Sequence, residues 1–332
     1  MYNIGKANGE DIRKIEVTEI QRMEPNLKTD GIKQGLYSPN EYVIDPFLLP
    51  LSNLYTALEL GSDLITKCKV VDAEWLDDNE NAYWKVLTDS KTTEFKEIAK
   101  QRHFLAKVVI NCAGNYSDET DRLFESSKNT FDITPAKGEF IVLTSSPSIV
   151  NPLTNGMVNC IPSKTFAGPY MFSSVYNHFV VGPTKITQES KTDRTCNEKS
   201  IEFLKSYAIK HFPCLRVQTG YLFETYSGLR PQDLKNVDYD IKFDPKSRWA
   251  TVGAIRSTGL TASRAIAQYV IKTIYAEYSH LPKLKEIEMP SPIIMKNGTW
   301  KIGNYVFKPT HKLSQLRMKQ CSDINNETRS SL

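Results

Sequence analysis

Residues 250–270 read ATVGAIRSTGLTASRAIAQYV. The first four predict a short strand, Arg256, Ser257, Thr258 and Gly259 a tight polar turn, and the rest a helix. Along that helix Ala262, Ile266, Tyr269, Val270 and Ile274 recur at helical spacing. A strand that feeds a helix through glycine is a candidate anion site, because the first N–H groups of the helix lack internal partners. Yet no two of the 16 glycines stand two positions apart, so the G-x-G core of the usual dinucleotide fingerprint is absent from these residues.

Composition narrows the function classes. The 332 residues are 40% hydrophobic and 24% charged, enough for two domains or one large interleaved one. Forty-two Lys and Arg against 38 Asp and Glu leave a net charge of +4, scattered without basic blocks, which argues against nucleic acid as a partner. Cysteines 68, 112, 160, 196, 214 and 321 form no C-x-x-C pair and the five histidines no H-E-x-x-H, so neither a metal site nor a disulfide framework is expected. No run approaches the ~18 apolar residues that span a bilayer, and no targeting signal is read.

Outward from the quoted stretch, residues 13–25 predict a short helix and 35–38 a short strand. Asp45-Pro46 predicts a helix start, with Phe47, Leu51, Leu54, Tyr55 and Leu58 on one face, Pro50 distorting its first turns and Gly61 ending it. Residues 68–75, 82–88 and 94–100 predict a β-meander. Residues 105–111, LAKVVIN, predict a central strand buried on both faces, running into CAGNYSDE and a helix to Phe124. From Phe131 to Gly228 longer strands such as GEFIVL and HFVVG predict an antiparallel sheet covered by a helix over 197–211. Strands return after Asp238, and from about Leu281 the chain reads as proline-rich and polar.

Taken in order, EPNL, GLYSPNEYVIDP, VVINCAGNYSDE, ITPAKGEFIVL, VVGPTK, YSGLRP and GAIRSTGLTASRAIAQYV resemble the FAD-dependent oxidoreductases of the D-amino-acid oxidase-like superfamily. The likeness is greatest to its glycerol-3-phosphate dehydrogenase branch. The resemblance implies a mixed α/β (α+β) fold, a Rossmann-like FAD/NAD(P)-binding layer interleaved with an antiparallel-sheet substrate domain. It divides the chain into 1–45 (substrate-domain segment and connection), 46–127 (FAD-binding part), 128–230 (substrate domain), 231–280 (FAD-binding part) and 281–332 (extended tail, partly disordered). The family opens with a β-α-β unit carrying G-x-G-x-x-G that holds the ADP half of FAD, and this sequence resembles a member lacking that unit, so weak FAD affinity is expected.

The resemblance also assigns candidate residues. Cys112, Ala113, Gly114, Gly253, Arg256, Gly259, Leu260 and Thr261 are implied to contact FAD, the helix start at STGLT facing the pyrimidine edge of the flavin. A helix terminus there contributes up to ~2 kcal/mol, which tunes a cofactor without anchoring it. Read without the resemblance, residues 253–261 would equally be a plain strand-to-helix connection and residues 112–114 simple strand-end packing. Arg230 in SGLRP is the candidate clamp for a substrate carboxylate or phosphate, because its planar fork matches such anions at two points; the alternative is a surface arginine in a turn. Thr184 and Lys185 are weaker candidates, and Lys137 reads as a solvated strand lysine. Asp118 reads as a helix-start residue, and neither His178 nor His211 is assigned to catalysis. The implied reaction is hydride transfer from C2 of a small anionic hydroxy compound to flavin, with glycerol 3-phosphate first and a 2-hydroxy acid second. Electrons would pass to a quinone or another acceptor, in the cytoplasm or mitochondrion by family resemblance. The alternatives are an amino-acid or amine oxidase of the same superfamily, or an inactive truncated product that binds no cofactor.

Overall fold

The computed structural model describes residues 1–77, 82–90, 103–124, 131–144, 153–162, 168–216, 222–275 and 287–315. Helix α1 (Tyr2–Ala7) leads to strand β1 (Arg13–Ile15), helix α2 (Val17–Met23) and strand β2 (Gly35–Tyr37). Residues 13–15 therefore do not begin the helix expected there. They pair antiparallel with β2, Ile15 against Gly35, and a Cβ on Gly35 would stand only 2.9 Å from the Ile20 side chain. The glycine lets strand and helix close on one another, which is what draws Ile15 out of the helix.

Helix α3 (Leu48–Glu59) starts two residues later than Asp45-Pro46 predicts. Asp45 still serves its start, its Oδ1 accepting the N–H groups of Phe47 (2.7 Å) and Leu48 (3.2 Å). Pro50 falls in the first turn, where its missing N–H costs no helical bond, so the expected distortion has no cause.

Strands β3 (Cys68–Leu76), β4 (Tyr83–Ser90) and β5 (His103–Ala106) form an antiparallel meander. The strand expected over 94–100 lies outside the described residues. The predicted strand over 105–111 is split: β5 belongs to the meander, and after Lys107 and Val108 a new strand, β6 (Val109–Asn111), joins another sheet. It is not buried on both faces either, since Leu105 is 62% and Ile110 43% exposed. A short 3₁₀ turn (Gly114–Tyr116) and helix α4 (Ser117–Asp121) follow.

The largest sheet is built on β7 (Ala136–Thr144). On one side β7 pairs with β10 (Phe179–Gly182) and β11 (Ile186–Thr187), and the order continues from β10 through β9 (Tyr170–Ser173) to β8 (Met157–Asn159). On the other side it pairs along its length with β12 (Leu222–Arg230). Helix α5 (Glu198–His211) covers one face through Leu204 and Ala208, which pack with Ile141, Met171, Phe179, Val181 and Phe212.

The chain then returns through β13 (Asp240–Asp244) to β14 (Trp249–Gly253), which lies beside β6 in parallel register, Thr251 opposite Asn111. Trp249 joins Trp84 and Phe124 in an aromatic core beneath the meander, and the Trp84 indole N–H donates to the Ser247 carbonyl at 2.7 Å. Helix α6 (Gly259–Ile274) buries Val270 and Ile274 against Ala250.

The tail is not simply extended. Strands β15 (Ile293–Ile294), β16 (Trp300–Ile302) and β17 (Tyr305–Phe307) form a small antiparallel sheet whose fully buried Trp300 and Ile302 pack on Leu51 and Tyr55 of α3. One indole and a facing helix stripe make a core there, a long-range match that local composition does not show.

Candidate active site

Because β6 and β14 run parallel side by side, the segments leaving their carboxyl ends, residues 112–115 and 254–259, emerge next to each other. That end of parallel strands is where α/β sheets place ligands. The end of β12 lies between these segments. Asn115 Nδ2 donates to the Leu229 carbonyl (3.2 Å), and the Arg256 N–H donates to the Pro231 carbonyl (2.8 Å). Arg230 is thereby held from both sides.

Its side chain is placed by the register of β7 against β12. Arg230 faces Ala136, Gly228 faces Gly138 and Tyr226 faces Phe140, so these alternate residues share one face of the sheet. The guanidinium folds back over Gly138, where a Cβ would lie 2.3 Å from its Nη2 and 2.9 Å from Pro183 Cβ, while the space over Gly228 is open. Nη2 donates to the Thr184 carbonyl at 3.0 Å. Burial pushes the Arg230 pKa below the usual arginine range, and among the described residues no carboxylate pairs with it. A half-buried guanidinium with no carboxylate partner, set close over Gly138, is a candidate anion clamp.

On the same face Phe140 stacks on Tyr226 with ring centroids 4.7 Å apart. Behind Tyr226 stands His311 of the tail, ring centroids 5.1 Å apart, its Nδ1 accepting the Leu313 N–H. Leu313 is buried against Val142 and Val180 on the same face, and Lys312 pairs with Glu224 at 3.0 Å. Burial lowers the His311 pKa, against an opposing pull from Asp45. Neither the glycine pair nor His311 was singled out from sequence. Glycines inside two strand-like runs were the available signal for the first, since they mark close approach of another group; nothing local announces the second.

The other candidates divide between support and open surface. Thr184 is buried with its hydroxyl turned inward, donating to Glu139 Oε2 (3.0 Å) and accepting the Glu139 N–H (3.0 Å); it presents only its carbonyl to Arg230. Lys185 is exposed. Lys137 is not a solvated lysine: it is buried on the opposite face, its Nζ donating to Asp193 (3.1 Å) and the Thr195 carbonyl (2.9 Å). The Thr195 hydroxyl and N–H, with Lys137, hold the Asp193 pKa down at about 2. Asp118 starts α4 and also ties loops together, accepting the Ile133 N–H and Lys191 Nζ (2.7 Å). His178, just before β10, is fully buried, with no hydrogen bond to either ring nitrogen.

Cys112 and Ala113 are exposed, and Gly114, at φ +59°, has nothing within 4 Å of where a Cβ would stand. They border a cleft of about 380 Å³ lined by Ala113, Asn115, Tyr116, Lys191, Thr192 and Arg194. Gly253 serves a different neighbour, for its missing Cβ makes room for the Phe131 ring. Arg256, at φ +56°, directs its guanidinium to the carbonyls of Asp233 (3.2 Å) and Asn236, bracing the loop after β12. At the start of α6, Thr258 gives no side-chain cap and the first helical bond is Ala262 N–H to Thr258 carbonyl, so the N–H groups of Gly259, Leu260 and Thr261 precede the helical ladder. Tyr239 hydrogen-bonds the Thr258 hydroxyl beside them.

A family model for FAD dependent oxidoreductases matches residues 1–273. The chain belongs to this FAD-dependent oxidoreductase family. A glycerol 3-phosphate dehydrogenase from Caloramator mitchellensis is 25% identical over 274 residues, 82% of this chain and 52% of that protein. A D-erythritol 1-phosphate dehydrogenase from Brucella abortus (strain 2308) is 25% identical over 203 residues, 61% of this chain and 37% of that protein. The chain thus spans about half the length, or less, of these curated relatives. Among solved structures, the dithionite-reduced L-α-glycerophosphate oxidase of Mycoplasma pneumoniae with FAD bound shares the fold at a TM-score of 0.66 and 24% identity, covering 80% of this chain and 64% of its own. No helix among the described residues is long and apolar enough to cross a membrane.

Proposed function

We propose that this family member is an FAD-dependent oxidoreductase acting on a small anionic hydroxy compound, glycerol 3-phosphate first and a 2-hydroxy acid second. The observation that carries the reading is the convergence on Arg230 of the two segments leaving the parallel strands β6 and β14. Two of the similar proteins are named for polyol phosphates, which supports a phosphate as the clamped anion.

The described residues fit the flavin end of FAD. Exposed Cys112 and Ala113 and the open face of Gly114 leave backbone free for close approach. Opposite them, the N–H groups of residues 259–261 would face a group that gains negative charge. FAD, when bound, supplies the hydride-accepting ring. Arg230 would grip the phosphate or carboxylate with its planar fork, and the open space over Gly228 lets that anion come close to the sheet. Phe140 and Tyr226 exclude water from one side; burial raises the Tyr226 pKa, so its hydroxyl stays a proton carrier. A quinone or another external acceptor would take the electrons.

The test is anaerobic bleaching of the flavin absorbance of the FAD-loaded chain. Glycerol 3-phosphate is expected to bleach it faster than lactate or glycine; bleaching by glycine alone moves the reading to an amine oxidase, and none by any of the three refutes it.

A further inference from the structure

Cys160, directly after β8, meets the last turn of α5, which covers the face of the large sheet opposite Arg230. Its Sγ lies 3.4 Å from His211 Nε2 and 3.9 Å from Nδ1. Tyr207, one helical turn before His211, packs against that imidazole with ring centroids 4.6 Å apart and planes tilted by 57°, and its hydroxyl hydrogen-bonds the same sulfur. Cys160 is half-exposed and free.

The three groups divide the chemistry of thiol activation. Burial, then the neighbouring Lys210, lowers the His211 pKa, so near neutrality its imidazole is unprotonated and can accept the S–H proton. Burial and the sulfur raise the Tyr207 pKa, so the phenol keeps its proton and donates to sulfur as negative charge develops. Cys112, Cys196 and Cys214 have no such partner set, and loss of water around the sulfur pushes each thiol up, away from the reactive thiolate, even in Cys112, whose residue is otherwise exposed.

We infer that Cys160 is a peroxide-reactive thiol, a modification site apart from the proposed active site, with His211 as its base and Tyr207 as its anion-stabilising donor. In the step, sulfur attacks one oxygen of hydrogen peroxide; the S–O bond forms as the O–O bond breaks. Sulfur is oxidised by two electrons to sulfenic acid. The thiol proton passes through His211 to the departing hydroxide, which leaves as water.

The test is treatment of the purified chain with hydrogen peroxide, trapping of sulfenic acid with dimedone, and quantification of each cysteine peptide by mass spectrometry at pH 7 and pH 9. Cys160 is expected to label at least about tenfold faster than Cys112 at pH 7. Its rate should change little between the two pH values, whereas an unassisted thiol near pKa 8.5 loses roughly twentyfold of its thiolate over that span. His211→Gln should bring back that steep dependence, and Tyr207→Phe should slow labelling at both pH values alike. Labelling of Cys160 no faster than Cys112, or a roughly twentyfold fall from pH 9 to pH 7 in the unaltered chain, would overturn the inference. So would a folded His211→Gln protein that labels like the parent; should that variant not fold, the pH comparison in the unaltered chain decides alone.

Discussion

Replacing Arg230 by lysine keeps the charge and removes the fork. In the structure one nitrogen, Nη2, donates to the Thr184 carbonyl at 3.0 Å and lies over Gly138, and no bond from the other guanidinium nitrogens is seen among the described residues. An anion held at two points gains two charge-assisted hydrogen bonds, and lysine, a single point charge, retains one. The loss is about 1.5–3 kcal/mol, a roughly tenfold to hundredfold fall in kcat/KM for glycerol 3-phosphate. The assay is dye-linked turnover of the FAD-loaded protein, with flavin content measured on the same sample. Flavin content should not change, since the contact is to substrate. Gly138→Ala makes an independent companion: its Cβ would displace Nη2, so activity should fall although the arginine is present. Full kcat/KM in Arg230→Lys, or loss of flavin together with activity, would refute the clamp.

Asp45 caps α3, accepts the Tyr176 hydroxyl at 2.5 Å and accepts the Ser314 hydroxyl at 2.8 Å. Asp45→Ala should cost about 3 kcal/mol, ~1 for the cap and ~1 for each buried bond, seen as a fall in melting temperature on the order of 5–10 °C; a shift under about 2 °C would show that the tail and α3 do not depend on it. His178, His211 and His311 all have folded pKa values lowered chiefly by burial. The unfolded chain then binds more protons as pH falls through its histidine pKa of about 6.5, so stability is full above that value and is lost below it. Melting curves between pH 8 and pH 5 should show the decline, and a flat profile would contradict the burial of His178. Because these residues contain no G-x-G-x-x-G turn, FAD is expected to exchange off during gel filtration, and stoichiometric retention of flavin would contradict that expectation.

What the sequence made legible was periodic or local. The strand, turn and helix over residues 250–270 follow from apolar spacing and glycine, and the order of motifs carried the family. The split of residues 105–111 was not legible, because an apolar run looks alike whether one sheet or two divide it; only the pairing of β5 with β4 and of β6 with β14 settles that. The tail was read by composition, which shows the prolines around residue 291 but not that Trp300 finds Tyr55 nearly 250 residues earlier. At the site, Arg230 stood out as a charged residue in a glycine turn, whereas Lys137 was misjudged because its partners, Asp193 and Thr195, lie in a distant loop. Arg256 shows the limit of motif transfer: its position is next to the candidate cofactor segment, and its Nη2 is turned to the carbonyls of Asp233 and Asn236.

The central claim is that one ligand site is formed by two segments that leave adjacent parallel strands. Hydrogen–deuterium exchange of the chain, with and without saturating FAD, tests it directly. Peptides covering residues 112–115 and 259–261 should together exchange more slowly, with α5 unchanged. Protection of neither segment, or protection confined to residues elsewhere in the chain, would contradict it.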